Sequence, residues 1–397
     1  MAVHIDEEYL TGALADMVRI NSANPSLTPA SPGEAELGAY LAQAMAGLGL
    51  AVTTYTLAPG RVNVVGIRRS AGSGGGHGRS LLWNGHLDTV GVEGMAEPFS
   101  AAIHAGRLYG RGSQDMKGSL AAMLAAVKAL TDAGVTLAGD LLVTAVADEE
   151  YASIGMENLL QQVTADAAIV TEPTDMALCL AHRGFIWFDV TAEGRAAHGS
   201  RFLEGVDAIM HMGRFLAELD KLEQELRRRP GDPLAGPPSL HASLIEGGTE
   251  LSVYPASCRL QVERRTVPGE SVAQATAELQ AIADRLSAAD PAVHIRVEPF
   301  LDRSPFAVPA GAAIVRTVEQ AVIRRCGAPP AHRGATFWTD AALLTDAGID
   351  TVLLGPIGAG LHSAEEWVDL ASVIDLAAIL ADTAMEFCGL SATDEHR

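Results

Sequence analysis

The chain has 397 residues, with 28 Lys and Arg against 49 Asp and Glu, giving a formal net charge of −21. That length suggests two or three domains, and 48% hydrophobic with 19% charged residues excludes a mainly disordered chain. The acidic balance argues against nucleic acid and anionic membrane surfaces as partners, because both recruit basic patches.

No apolar run approaches the roughly 18 residues of a membrane span. The opening MAVHIDEEYLTGALADM lacks the basic-then-apolar layout of a secretory signal, so a cytoplasmic protein is expected. Cys179, Cys258, Cys326 and Cys388 form no C-x-x-C pair, which removes zinc-ribbon and thioredoxin readings. Scattered thiols fit a reducing compartment, where small buried cysteines are the simplest reading.

Along the first 180 residues, short apolar runs at 63–67, 81–84, 141–146 and 167–170 alternate with helical patterns. The clearest helix is predicted over 118–133, stopping at Gly134. Continuous apolar strands alternating with helices imply a mostly parallel sheet covered on both faces. The glycine-rich patch at 71–80 lacks G-K-[ST] and leads into a strand, so it reads as a flexible connection with His77 solvated, not as a phosphate loop.

The style changes near Arg183. A strand at 185–190 and a helix at 205–229 are followed by strands at 239–245 and 257–264, a helix at 271–288 and a strand at 293–298. Cys258, Leu260 and Val262 alternate with Arg259, Gln261 and Glu263, and Val293, Ile295 and Val297 with His294, Arg296 and Glu298. Such period-2 patterns give one buried and one wet face. The order β-α-β-β-α-β is that of a ferredoxin-like sandwich. The expected domains are therefore 1–180 and 300–397 as an α/β domain with a mostly parallel sheet, and 181–299 as an inserted α+β domain. The returning part carries a helix at 313–325, one at 340–347, a strand at 351–354 and a closing helix near 371–387.

Acidic and histidine residues gather at or just beyond the carboxyl ends of predicted strands: His86 and Asp88, Glu149 and Glu150, Glu172, and His362. Ligands of open α/β sheets bind at that edge. Asp115, in GRGSQDMKG, sits in a loop just before the strong helix. Two histidines with several carboxylates and no cysteine suit a catalytic zinc, cobalt or manganese site. The carboxylates exceed the needs of one tetrahedral ion, whereas two ions sharing a bridging carboxylate would use them in amide or ester hydrolysis. The His-x-Asp spacing allows Asp88 to orient the imidazole of His86. Adjacent Glu149 and Glu150 point apart in an extended segment, so one is free to bind metal while the other serves as general base.

With these residues in hand, GHLDTV, GRGSQDMKGSLAAML, DEEYASIGM, TEPTD and LHSAEEW resemble, in order, the metallopeptidase family of acetylornithine deacetylase, succinyl-diaminopimelate desuccinylase, aminoacylase and carboxypeptidase G. NSANP at 21–25 and the inserted domain extend the resemblance to nearly the whole chain. It implies a zinc-exopeptidase-like catalytic domain plus a ferredoxin-like lid that dimerises. It implies His86 and Glu172 as ligands of one metal, Glu150 and His362 of the other, Asp115 as the bridge, Asp88 as the support of His86 and Glu149 as the base. His198, in EGRAAHGS, matches a histidine that polarises the scissile carbonyl in the partner subunit's active site. Arg265, in VERRTVPGE, matches an arginine that holds a substrate carboxylate, against the plainer reading of one more arginine on the polar face of its strand. Where many members carry Asn in the N-V-x-P segment, this chain has Ser252, and Glu263 stands where Asp is common.

The expected activity is two-metal removal of an N-acyl group from an amino acid or related amine. Zinc is the first choice of ion, with a small-molecule substrate and a homodimer formed through the lid. A dipeptidase or carboxypeptidase on the same scaffold is the nearest alternative, and a catalytically silent small-molecule-binding dimer the remote one. A helix cap at Thr339 or Asp340 is expected, Gly110, Gly112 and Gly118 shape the Asp115 turn, and Trp83 and Trp187 read as core. The remaining histidines (His104, His182, His211, His241, His294, His332) carry no metal spacing.

Overall fold

Runs of apolar residues with no polar face can be strands only if both faces are covered, and the four such runs form neighbouring strands of one sheet. In the computed structural model, which describes residues 3–70 and 78–391, the sheet runs Ala51–Ala58, Arg61–Arg68, Leu141–Val146, Leu81–His86, Ala167–Val170, Asp350–Leu353 and Leu178–His182. Its four central strands pair in parallel, while Ala51–Ala58 and Arg61–Arg68 add antiparallel to one edge. Every residue of Leu81–His86, Leu141–Val146 and Ala167–Val170 is buried. The patch at 71–77, with His77, lies outside the described residues.

Helix Gly118–Asp132 is buried on nearly all sides, as its Ala- and Leu-rich sequence demands, and packs against Glu7–Arg19 and Leu370–Cys388. Glu7–Arg19 is capped by Asp6, which accepts from the Tyr9 N–H at 2.9 Å. This helix, Ala35–Gly47 and the strands Ala51–Ala58 and Leu178–His182 add to the predicted elements.

The chain clusters into two units, one made of residues up to Leu180, Val308–Arg333 and Thr339 onward, the other of Ala181–Ala307 with Gly334–Trp338. The second unit is a four-stranded antiparallel sheet in the order Ser239–Gly247, Ser257–Thr266, Gly184–Glu193, His294–Arg303. Its helices Ala208–Leu226 and Val272–Ala289 bury Met212, Phe215, Leu219, Leu279 and Ile282 against Phe188, Val190, Leu260 and Val262. Asp207 caps the first helix, and Ser271 with Gln274 closes a capping box on the second. The unit ends at Ala307 rather than 299, because the last strand continues past Pro299 through a register shift at Leu301. Of the cysteines, Cys179, Cys258 and Cys388 are buried, whereas Cys326 is exposed at the end of helix Ala313–Cys326. Trp83 is fully buried in its strand, whereas Trp187 is only partly covered, its indole N–H donating to Glu263 at 3.0 Å.

Candidate metal centre

The central strands deliver the site residues through their own geometry. His86 is the last residue of its strand, Glu149 and Glu150 follow Val146 after two residues, and Glu172 follows Val170 after one. Asp115 lies in the single turn Ser113–Lys117 that opens helix Gly118–Asp132. Gly112 enters that turn at φ 79°, where a Cβ would stand 2.8 Å from the Thr89 methyl. His362 has φ 56°, a left-handed conformation costing a non-glycine residue about 1 kcal/mol or more. The turn around it is closed by the Ser363 N–H donating to Gly360 O at 3.0 Å.

Two donor groups share one aspartate. His86 Nε2 lies 2.9 Å from Asp115 Oδ1 and 3.7 Å from Glu172 Oε1. His362 Nε2 lies 3.5 Å from Asp115 Oδ2 and 3.1 Å from Glu150 Oε2. Within each group, His86–Asp115–Glu172 and Asp115–Glu150–His362, the ligand atoms all fall within 4.8 Å of one another. Glu149 belongs to neither group.

Asp88 acts differently from the His-x-Asp expectation. The Nδ1 of His86 meets the backbone carbonyl of Asp88 at 2.8 Å, and the carboxylate is 3.7 Å away. That carboxylate instead accepts the peptide N–H groups of Glu149 (3.1 Å) and Glu150 (3.2 Å), one on each oxygen. Asn24 donates to Asp88 at 2.8 Å and to Asp148 at 3.0 Å. Arg61 reaches Asp148 at 2.7 Å and pairs with both oxygens of buried Glu34. On the other side, the buried Glu366 carboxylate accepts the N–H groups of Gly112, Gln114 and Asp115. Of these supports Asn24 in NSANP, Asp88 in GHLDTV, Asp148 in DEEYASIGM and Glu366 in LHSAEEW sit inside sequence motifs, whereas Arg61 and Glu34 carry no local signal.

The electrostatics ask for positive charge. Burial pushes Glu149 well above the ordinary carboxylate range, reinforced by the charges of Glu172, Asp340 and Glu150. Burial likewise raises Glu172 and Glu150. Burial would raise Asp115 too, but hydrogen bonds to His362 and His86 overcome it and hold that carboxyl low. His86 is held well above its usual value against its own desolvation, chiefly by Glu172 and Asp115, and His362 is raised to about 10 by its bonds to Asp115 and Glu150. The imidazoles thus draw protons to offset the carboxylates, a demand divalent cations satisfy better. Glu150 Oε1 is buried with no hydrogen-bond partner among the described residues, as a ligand atom facing a cation would be. The residues present therefore fit a pair of divalent ions.

Of the two residues expected to cap the next helix, Thr339 does so and Asp340 does not. The Asp340 side chain makes no cap hydrogen bond to helix Ala341–Asp346; the hydroxyl of Thr339 takes the Ala341 N–H at 3.2 Å instead. Buried Asp340 lends its charge to Glu149 and Glu172, a role the FWTDAALL segment did not disclose. In the second unit, His198 is exposed with Nδ1 2.8 Å from the Ser200 hydroxyl, and it bridges to Val253. Ser252 contributes its carbonyl to the Gly199 N–H at 2.7 Å, and its side chain is exposed. Arg265 is not a free arginine on a wet face: it donates to Thr336 O at 3.0 Å and sits 5.8 Å from the Phe185 ring centre.

Carboxylates and imidazoles in two groups joined by one aspartate, at the carboxyl edge of a parallel sheet, define a metallohydrolase site. Residues 82–386 match the model of peptidase family M20/M25/M40. The chain belongs to that family, and it is a metal-dependent hydrolase of amide bonds. It is 30% identical to an acetylornithine deacetylase of Myxococcus xanthus, over 83% of this chain and 85% of that one. It is 29% identical to the N-formyl-4-amino-5-aminomethyl-2-methylpyrimidine deformylase of Bacillus subtilis (strain 168), over 91% and 92%. The fold is shared with aminopeptidase PepT from Bacillus cereus ATCC 10987 at TM-score 0.78 and 19% identity, covering 96% of this chain and 99% of that chain.

Proposed function

We propose that the protein is a two-metal deacylase that frees an amine by removing a small N-acyl group, with zinc as the first choice of ion. The observation that carries this reading is Asp115, whose two oxygens face two separate histidine–glutamate groups while Glu149 stays outside both. His86, Asp115 and Glu172 would hold one ion and Asp115, Glu150 and His362 the other. Such a pair supplies Lewis acidity toward the acyl oxygen and makes water a stronger acid. Glu149 takes the proton from the attacking water and hands it to the nitrogen as the C–N bond breaks, leaving a carboxylate and a free amine. A base with a raised pKa is suited to both transfers. Asp88 fixes where Glu149 and Glu150 diverge by holding both their peptide N–H groups.

We assign His198 the family role of polarising the acyl carbonyl from a partner subunit, and its exposure supports that. Arg265 and Ser252 are assigned to the substrate, Arg265 through a carboxylate. A homodimer is supported by strand Ser239–Gly247, a sheet edge exposed from 241 to 247 that carries Leu244 and Ile245. Exposed Ile209 packs close to Gly247 and Met210 follows it, making an apolar patch beside the edge. Ile245→Asp is expected to give a monomer by light scattering while the parent is a dimer; a dimeric variant would send the interface elsewhere. The four free cysteines support a cytoplasmic location, and among the described residues no helix is long and apolar enough to cross a membrane.

A deacetylase and a deformylase among the relatives favour acyl removal over peptide cleavage. The test is turnover of N-acetyl and N-formyl amines, including N-acetylornithine, beside unblocked dipeptides. Faster hydrolysis of the acyl compounds, abolished by chelator, is expected. Preference for dipeptides would replace this reading with the peptidase one.

A further inference from the structure

Two of the three donors of the first group, His86 and Glu172, are fixed by the sheet itself. His86 ends a strand paired in parallel on both sides, and Glu172 follows another by two residues. The second group leans on the sheet only through Glu150: the shared Asp115 lies in an irregular turn, and His362 lies in a loop, half-exposed and left-handed. What joins those two segments is a buried pair, Glu366 and Arg111, both at most 2% exposed.

One oxygen of Glu366 accepts the peptide N–H groups of Gln114 (2.9 Å) and Asp115 (3.1 Å), and the other accepts Gly112 N–H (3.0 Å) and Arg111 Nη1 (2.7 Å). The Glu366 backbone carbonyl accepts the Gly110 N–H at 3.0 Å. Arg111 also donates from Nη2 to Ser363 O and from Nε to Gly91 O, both at 2.9 Å. The Arg111–Ser363 bond lands on the residue next to His362. Segments 251 to 255 residues apart in sequence are thus tied through one carboxylate and one guanidinium, and neither residue belongs to either donor group.

We propose that Glu366 and Arg111 are positioning residues that hold Asp115 and His362 at the spacing the second ion needs. The inference rests on the two-ion reading above. A glutamine at 366 keeps the shape but turns one accepting face into a donating one. Either the Gln114 and Asp115 N–H groups or the Arg111 and Gly112 N–H groups then meet a donor. A lysine at 111 keeps the charge but loses the planar fork that reaches three acceptors in different directions.

The experiment is a calorimetric titration of Zn²⁺ into chelator-treated, dialysed protein, for the parent, Glu366→Gln, Arg111→Lys and His362→Ala. Thermal unfolding of each protein is measured in parallel. His362→Ala identifies which step of the parent's isotherm belongs to the second group. In Glu366→Gln that same step is expected to weaken about 10- to 100-fold, the loss typical of removing a ligand's support, with the other step far less changed. Arg111→Lys is expected to move the same step by less, and it carries the test if Glu366→Gln does not fold. An isotherm superimposing on the parent's, or both steps weakening equally alongside a lower Tm, would overturn the clamp and leave only a structural role. A parent isotherm that saturates at one ion per chain would overturn the two-ion reading itself.

Discussion

Replacing Glu149 by glutamine is expected to lower kcat on the best N-acyl substrate by about 10³-fold, within the range that a positioned acid–base group contributes. The same variant is expected to keep both ions, because Glu149 belongs to neither donor group. It is also expected to fold, since glutamine matches the side chain in shape and removes a carboxylate that burial and its acidic neighbours disfavour. KM should change little if Glu149 acts on the proton rather than on substrate binding. Steady-state kinetics with metal analysis of the same preparation checks both halves. Turnover at the parental rate would remove Glu149 from the base role, and loss of an ion would make it a ligand instead.

The second large effect is expected at Asp115. Its two oxygens serve different groups, at 2.9 Å from His86 and 3.5 Å from His362. Asparagine keeps the size but offers a single carbonyl oxygen and no charge. Asp115→Asn is therefore expected to bind at most one ion per chain and to lose at least about 10³-fold in activity, equivalent to several kcal/mol of barrier. His362→Ala should also bind one ion, but it leaves the His86–Asp115–Glu172 group complete. Metal analysis separates the two variants by the affinity of what remains, tighter in His362→Ala. If Asp115→Asn retained two ions at parental affinity, Asp115 would not be the shared ligand.

The architecture was legible wherever burial on both faces left unbroken apolar runs, as in 141–146 and 167–170, whose bounds coincide with the strands. The inserted unit was legible from period-2 alternation, which its antiparallel sheet preserves along Ser257–Thr266. Ala51–Ala58 escaped because an exposed edge strand rich in threonine has no apolar stripe. The position 299 fell short of the unit's end because a proline and a register shift break the alternation while the pairing continues to Arg303.

At the site, chain order placed the acids and histidines at strand ends, but not the bonds that aim them. Asp88 is two residues from His86, and that nearness suggested an imidazole partner. Its carboxylate instead holds the peptide N–H groups of Glu149 and Glu150, 61 and 62 residues away. Asn24, Arg61 and Glu366 reach their partners across 64, 87 and 251 residues respectively. Contacts at such separations leave no local period or spacing, so only folding brings them into view. Asp340 shows the converse: a residue beside a helix start invites a cap reading, and its burial near Glu149 gives it an electrostatic role instead.

The central claim is a pair of ions sharing Asp115, and its most direct test is the metal content per chain of metal-replete protein, with hydrolysis of an N-acyl amine measured on the same sample. The account predicts two ions per chain, with hydrolysis lost on chelation and restored by zinc, cobalt or manganese. Protein that carries no tightly held ion under any loading condition, or that hydrolyses the substrate equally well after chelation, would contradict it.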